Sequence, residues 1–299
     1  MHVSPTRSPV LVVLAIAIML VAAPAQAETI VHTERSLYRN IVVYDESGMR
    51  CMKFSRAVLA GRQSCQFLRD PQRLVFRYTQ MMMAALYLDP EPHRILVLGL
   101  GGGTLPTALA NLPSTTQVDV VEIDPAVTRV AQTYFGFKPG SKVHVFEEDG
   151  RVFVKRALRS GRQYDLVMLD AFDHEYIPEH LLTREFLAEV KGLLGQNGVL
   201  AANTFSNSRL YDHESATYQA VFGEFYNLRS DNRVILTRAG GLPPRDAIER
   251  NAAAVDSRLA DIGVERDQLL SLFSTKRDWR EDARVLTDQY SPSNLLNVQ

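Results

Sequence analysis

Arg94-Ile95-Leu96-Val97-Leu98-Gly99-Leu100-Gly101-Gly102-Gly103-Thr104 is the stretch that decides the fold. Its apolar run has no polar alternation, which suits a strand buried on both faces, and such strands belong to parallel sheets. The run enters a glycine turn, where the missing side chains let the backbone reverse sharply and come close to a ligand. Downstream the same texture repeats. Strands are expected at residues 118–123, 143–146, 164–169 and 198–205, with helices at 106–112, 125–135, 151–158 and 182–194. Apolar strands alternating with helices predict an α/β fold, a mainly parallel sheet covered on both faces. A late strand over 234–236 is placed at the sheet edge. After Gly240-Gly241-Leu242-Pro243-Pro244, apolar positions at helical spacing predict a tail of helices over 246–259 and 266–273.

Upstream of Pro92 the pattern is different. Tyr38, Ile41 and Val43, then residues 49–54 and 63–68, alternate in short runs and predict a small antiparallel β region. A helix is expected over 74–87, closed by Asp89-Pro90-Glu91-Pro92, with Met81, Met82 and Met83 packing in the core. Cys51 and Cys65 are symmetric about position 58, so in a hairpin they face each other across the strands. A disulfide and two half-buried thiols both fit that placement, while two lone cysteines fall short of a metal site's ligand count.

The first 27 residues read as an address. Arg7 is the only Lys or Arg before an apolar run over 10–23, and Ala25-Gln26-Ala27 reads as an A-x-A cleavage site. The run is shorter than the roughly 18 apolar residues a membrane-spanning helix needs, so cleavage and export to the periplasm are expected, with an uncleaved anchor as the alternative. The chain of 299 residues carries 33 basic and 34 acidic side chains, for a net charge of −1. That balance gives no footing for nucleic acid or an anionic membrane as partner. With 46% hydrophobic and 22% charged residues the composition is globular, not disordered.

Acids are expected at the mouth of the sheet. Val120-Val121-Glu122-Ile123-Asp124 puts a carboxylate at the end of the second strand, where it can accept both ribose hydroxyls. Asp149, in Glu148-Asp149-Gly150, ends the third strand where an adenine amino group would be met. The turn lacks the Gly-Lys-Ser/Thr of a triphosphate loop, and Thr104-Leu105-Pro106 departs from the dinucleotide fingerprint. Gly101, Glu122 and Asp149 therefore outline a nucleoside site, though a glycine turn also serves simply to pack a helix on a strand. The fourth strand ends Asp170-Ala171-Phe172-Asp173-His174. Two carboxylates three residues apart can bind a cation and take a proton from it, or stand as a solvated acid pair.

These residues resemble the polyamine synthase family, the spermidine synthase type of aminopropyltransferase, over most of the chain after residue 27. The resemblance rests on Ser36-Leu37-Tyr38-Arg39-Asn40-Ile41, Gly101-Gly102-Gly103, Glu122, Asp149-Gly150 and Asp170-Ala171-Phe172-Asp173. It extends to Tyr176-Ile177-Pro178, Leu181-Leu182-Thr183-Arg184-Glu185-Phe186 and Val285-Leu286-Thr287-Asp288-Gln289-Tyr290-Ser291-Pro292. It implies an S-adenosylmethionine-dependent methyltransferase-like, Rossmann-like sheet. The implied division is 28–90 as the N-terminal β region and gate helix, 91–240 as the nucleoside-binding domain and 241–299 as the helical tail. It also implies that Gly101, Gly103, Glu122, Asp149 and Gly150 hold the nucleoside, that Asp170 accepts the proton and that Asp173 helps hold an amine. Decarboxylated S-adenosylmethionine, or S-adenosylmethionine, would be a co-substrate, with no tightly bound cofactor and no metal; a homodimer is a further implication.

Three positions depart from the family pattern at the amine end. Arg39 replaces a Gln and adds a positive charge if it points inward; Tyr78-Thr79-Gln80 replaces Tyr-His-Glu; and Thr104 replaces an Asp that would face the cationic aminopropyl tail. Transfer of an aminopropyl group is the first reading. A methyltransferase on the same fold and a non-catalytic nucleoside-binding module are the alternatives.

Overall fold

The computed structural model describes residues 28–55, 61–171 and 177–291; the expected signal segment, Asp173 and His174 lie outside them. Four strands, β1 (Thr29–Arg35), β2 (Asn40–Glu46), β3 (Met49–Lys53) and β4 (Arg62–Phe67), form an antiparallel sheet in that order. β3 and β4 pair in the expected register, Cys51 opposite Cys65, and the two are joined by a disulfide with S–S 2.02 Å. Both half-cystines are buried against Tyr44.

The helix expected over 74–87 is α1 (Arg77–Met83), continued by one 3₁₀ turn over Ala84–Tyr87. It starts late because Leu74 still pairs with Gln66 in an isolated antiparallel bridge. Met81, Met82 and Met83 are fully buried, as a packing role requires.

Beyond Pro92 the chain runs through β5 (Arg94–Leu98), α2 (Thr104–Ala110), β6 (Gln117–Glu122), α3 (Pro125–Tyr134), β7 (Val143–Glu147), α4 (Gly150–Arg159) and β8 (Tyr164–Leu169). It continues through a short 3₁₀ turn over Glu179–Leu181, α5 (Arg184–Leu193), β9 (Leu194–Phe205), α6 (Tyr211–Phe222), β10 (Tyr226–Arg229) and β11 (Asn232–Arg238), and then the tail helices α7 (Arg245–Asp261) and α8 (Arg266–Leu272). The seven strands lie in the order β10-β11-β9-β8-β5-β6-β7. From β9 to β7 every pairing is parallel; β11 runs antiparallel to β9, and β10 to β11.

Alternate residues of each strand feed opposite cores. Ile95 and Val97 pack with Leu109 of α2, Val127 of α3 and Ile248 of α7. Leu96 and Leu98 pack with Phe153 of α4 and with Phe186 and Val190 of α5. All four strand residues are at most 1% exposed, so each is worth about 1.5–3 kcal/mol of apolar burial.

Two elements differ from expectation. The late strand is interior, because β10 forms a tight hairpin with it, Tyr226 opposite Leu236, and takes the edge itself. α6 was not expected, since its buried face is made of Glu214, Ser215, Thr217, Tyr218 and Phe222. A mostly polar buried face carries no apolar period to read.

Candidate active site

Strand order reverses at β5: the chain crosses from β5 to β6 on one side, while β8 lies on the other. The carboxyl ends of the strands therefore part there and leave a crevice. A cleft of ≈ 630 Å³ opens at that point, walled by the N-terminal sheet, α1 and the ends of β5, β6, β8, β9 and β11.

The glycine turn forms one lip. Gly99 has φ +99°, and a Cβ there would lie 2.2 Å from the carbonyl oxygen of Asp170, so only glycine lets the exit of β5 pass against the end of β8. Asp170 N donates to Leu98 O at 2.8 Å, which ties the two strand ends together. Gly101 lines the cleft. Gly103 does not: it precedes α2 in a left-handed conformation, where a Cβ would lie 2.5 Å from the Phe137 ring. Gly102 N donates to Ser64 Oγ at 2.9 Å, so β4 of the small sheet holds the turn from above.

Glu122, 9% exposed, stands at the end of β6. One of its oxygens accepts Leu100 N at 3.2 Å and the other accepts Asp124 N at 3.0 Å. Burial pushes its carboxyl above the usual range, and these two bonds pull it back. A carboxylate can accept about four hydrogen bonds, so two acceptor sites remain for a ligand's hydroxyls. Arg39 does point inward. Its guanidinium lies 4.2 Å from the centroid of Phe54, and its Nε is 3.8 Å from Asp124 Oδ2. Ser36 Oγ donates to the same Asp124 oxygen at 2.6 Å, fixing the β1–β2 loop on the start of α3. The cation is thus matched by acids at the β6 end.

Asp149 caps α4, with Oδ1 accepting Arg151 N and Val152 N at 2.9 and 3.0 Å. Its Oδ2 is 2.8 Å from His180 Nε2, and that contact above all holds its carboxyl below the usual range. Gly150 and His180 line the cleft beside it.

Asp170, half-buried like Tyr78, lines the cleft with it. Its Oδ1 accepts Asn203 Nδ2 at 2.9 Å, and its Oδ2 accepts Tyr78 Oη at 3.4 Å. Burial pushes its carboxyl up to about 7, against the pull of those two hydrogen bonds. Thr79, 4% exposed, donates Oγ1 to Phe76 O at 2.7 Å, and Thr104 opens α2; both line the cleft.

One cleft therefore collects Gly101, Glu122, Asp149, Gly150, Asp170, Arg39, Thr79 and Thr104. Sequence reasoning missed Ser64, His180, Asn203 and Asn232. Of these only Asn203 left a trace, as a polar residue in the apolar run of β9. The C-terminal motif serves behind the site: Arg151 pairs with both Glu189 and Asp288, and Thr183 Oγ1 donates to Asp288 at 2.7 Å.

Comparison with known proteins fits this arrangement. Residues 75–229 match the model of the spermine/spermidine synthase domain. A polyamine aminopropyltransferase of Vibrio vulnificus is 49% identical over 274 residues, covering 90% of this chain and 91% of that protein. A probable spermidine synthase from Corynebacterium glutamicum has the same fold, with TM-score 0.62 and 19% identity over 85% of this chain and 98% of that one. Human methyltransferase-like protein 13, solved with SAH, has TM-score 0.56 and 26% identity over 70% of this chain and 97% of that one. The acids at successive strand ends, the glycine turn, the matching domain model and a 49% identical relative aligned over 90% of the chain lead to one conclusion: the chain belongs to the spermine/spermidine synthase family of transferases.

Proposed function

We propose that the protein transfers an aminopropyl group from decarboxylated S-adenosylmethionine to an amine acceptor, with Asp170 as the base. The observation that carries this reading is the Asp170 carboxyl, held by Tyr78 and Asn203, in the cleft that also holds Glu122 and Asp149. In this reading Glu122 binds the ribose hydroxyls, Asp149 and Gly150 meet the adenine, and Gly101 lets the backbone approach the donor. Asp173, outside the described residues, helps hold the amine.

The acceptor arrives as an ammonium and must lose a proton before it can attack. Asp170 takes that proton, and the freed lone pair attacks the carbon beside the sulfonium. The N–C bond forms and the C–S bond breaks, its electron pair going to sulfur, so a neutral thioadenosine leaves. A base with a pKa close to the working pH suits this task. We further propose that the protein works after export, where the Cys51–Cys65 bridge is stable. Methyl transfer is the second reading, favoured by the inward Arg39 and by Thr104 in place of an acid.

The test is Asp170→Asn. Turnover should fall by about 100-fold or more while donor affinity is kept. For the parent, kcat/KM should drop about tenfold per pH unit below about 7, as the base becomes protonated, and that limb should vanish in the variant. Equal turnover in parent and variant overturns the assignment.

A further inference from the structure

Asp170 is held by a chain of two amides. Asn203 Nδ2 donates to Asp170 Oδ1 at 2.9 Å, and Asn232 Nδ2 donates to Asn203 Oδ1 at 3.2 Å. Asn203 lies on β9, 4% exposed, and Asn232 opens β11, where its cross-strand partner is Phe205. The two asparagines are therefore diagonal neighbours on one face of the sheet. Both line the cleft.

A side-chain amide has a donor end and an acceptor end, so what one end meets dictates what the other end offers. Asn232 presents NH₂ to the carbonyl of Asn203, which turns the NH₂ of Asn203 toward Asp170. If Asn203 were flipped, its carbonyl would face Asp170, and that contact is favourable only when the carboxyl carries a proton. We propose that Asn232 and Asn203 are positioning residues, a two-amide relay whose polarity keeps Asp170 in its ionised, proton-accepting form. The inference rests on the reading of Asp170 as the base.

The amides share this task with Tyr78. Burial disfavours the charged carboxyl, and a hydrogen bond donated to the charged form opposes that. From α1 the group facing Asp170 is Tyr78, whose phenol burial pushes well above its usual range, so it stays a donor. From β5 the contact is backbone, Leu98 O. The other charged or titratable side chains along the cleft include Arg39, Glu122, Asp149 and His180. Tyr78 and Asn203 are the side chains that hydrogen-bond Asp170 among the described residues.

The experiment is a double-mutant cycle read as pH profiles. Asn203→Leu should move the acid limb of kcat/KM up by about one pH unit, and Asn232→Ala should move it the same way by about half as much. In the Asn203→Leu background Asn232→Ala should add nothing, because the relay is already cut. Well above the limb, activity should return to within about threefold of the parent, which damage to the fold would not allow. The Asp170 carboxyl is followed in parallel by ¹³C NMR in aspartate-labelled protein, assigned with Asp170→Asn; its titration should rise in step, with no turnover needed. A limb and a carboxyl titration that stay in place in folded Asn203→Leu overturn the relay, as does a full additive shift in the double variant. If Asp170→Asn keeps its turnover, the base reading fails instead, and the ¹³C titration still decides the relay.

Discussion

Glu122, Asp149 and Asp170 end successive strands, yet each is occupied differently. Glu122 spends two acceptor sites on Leu100 N and Asp124 N, and Asp149 is engaged by the first turn of α4 and by His180. Among the described residues, the side chains that donate to Asp170 are the neutral Tyr78 and Asn203. In the proposed reaction Glu122 and Asp149 bind the donor and Asp170 exchanges the proton. The positions of the acids were legible in sequence, because an acid ending an apolar run stands out. Their surroundings were not: from strands distant in the chain, Asn203 reaches Asp170, Asn232 reaches Asn203 and Ser64 reaches the glycine turn. Thr104 tests the amine end. Thr104→Asp places an anion at the start of α2, on the cleft wall, and should tighten the cationic aminopropyl donor about tenfold relative to S-adenosylmethionine, at a coupling of about 1.4 kcal/mol. Isothermal titration with both nucleosides measures this, and an unchanged ratio would separate Thr104 from the donor tail.

Among the elements, the inner strands and most helices followed from pattern alone, since β5, β6, β8 and β9 are largely buried on both faces and the covering helices show an apolar stripe. β10 and α6 did not. α6 is held by polar contacts: Ser215 Oγ and Thr217 Oγ1 donate back to Tyr211 O and His213 O, and Arg233 Nη2 donates to Ser215 Oγ at 2.8 Å. The C-terminal strap is a second such case. Its motif was visible, but its role rests on Arg151, which spans Glu189 of α5 and Asp288 of the strap with four hydrogen bonds of 2.7–3.0 Å. Removing the guanidinium leaves two acids facing each other. Because Asp288 is 43% exposed, the cost is set below that of a fully buried pair, at about 2 kcal/mol. Arg151→Ala should therefore lower the denaturant midpoint without changing the slope of the unfolding curve. An unmoved midpoint would show that the strap is held by other contacts, such as the fully buried Leu286.

Across the molecule, the small sheet does more than cover the cleft. β4 carries Cys65, bridged to β3, and the adjacent Ser64, which accepts the glycine turn's Gly102 N. Cross-linking residues 14 apart in sequence removes chain entropy from the unfolded state, worth about 3 kcal/mol in the loop-closure model. Protein purified from an oxidising compartment should show no titratable thiol without reductant, and Cys51→Ala/Cys65→Ala should lose stability of that order; two free thiols in the native protein would refute the bridge.

The central claim is the reaction itself, and identifying the product tests it most directly. The chain lacking residues 1–27 is incubated with an amine and, separately, with decarboxylated S-adenosylmethionine or S-adenosylmethionine, and the nucleoside released is identified by mass. The account predicts a thioadenosine from the first donor, formed one for one with an amine that has gained an aminopropyl group. Release of the homocysteine-bearing nucleoside from the second donor with a methylated acceptor, or tight binding of either donor with no product, would contradict it.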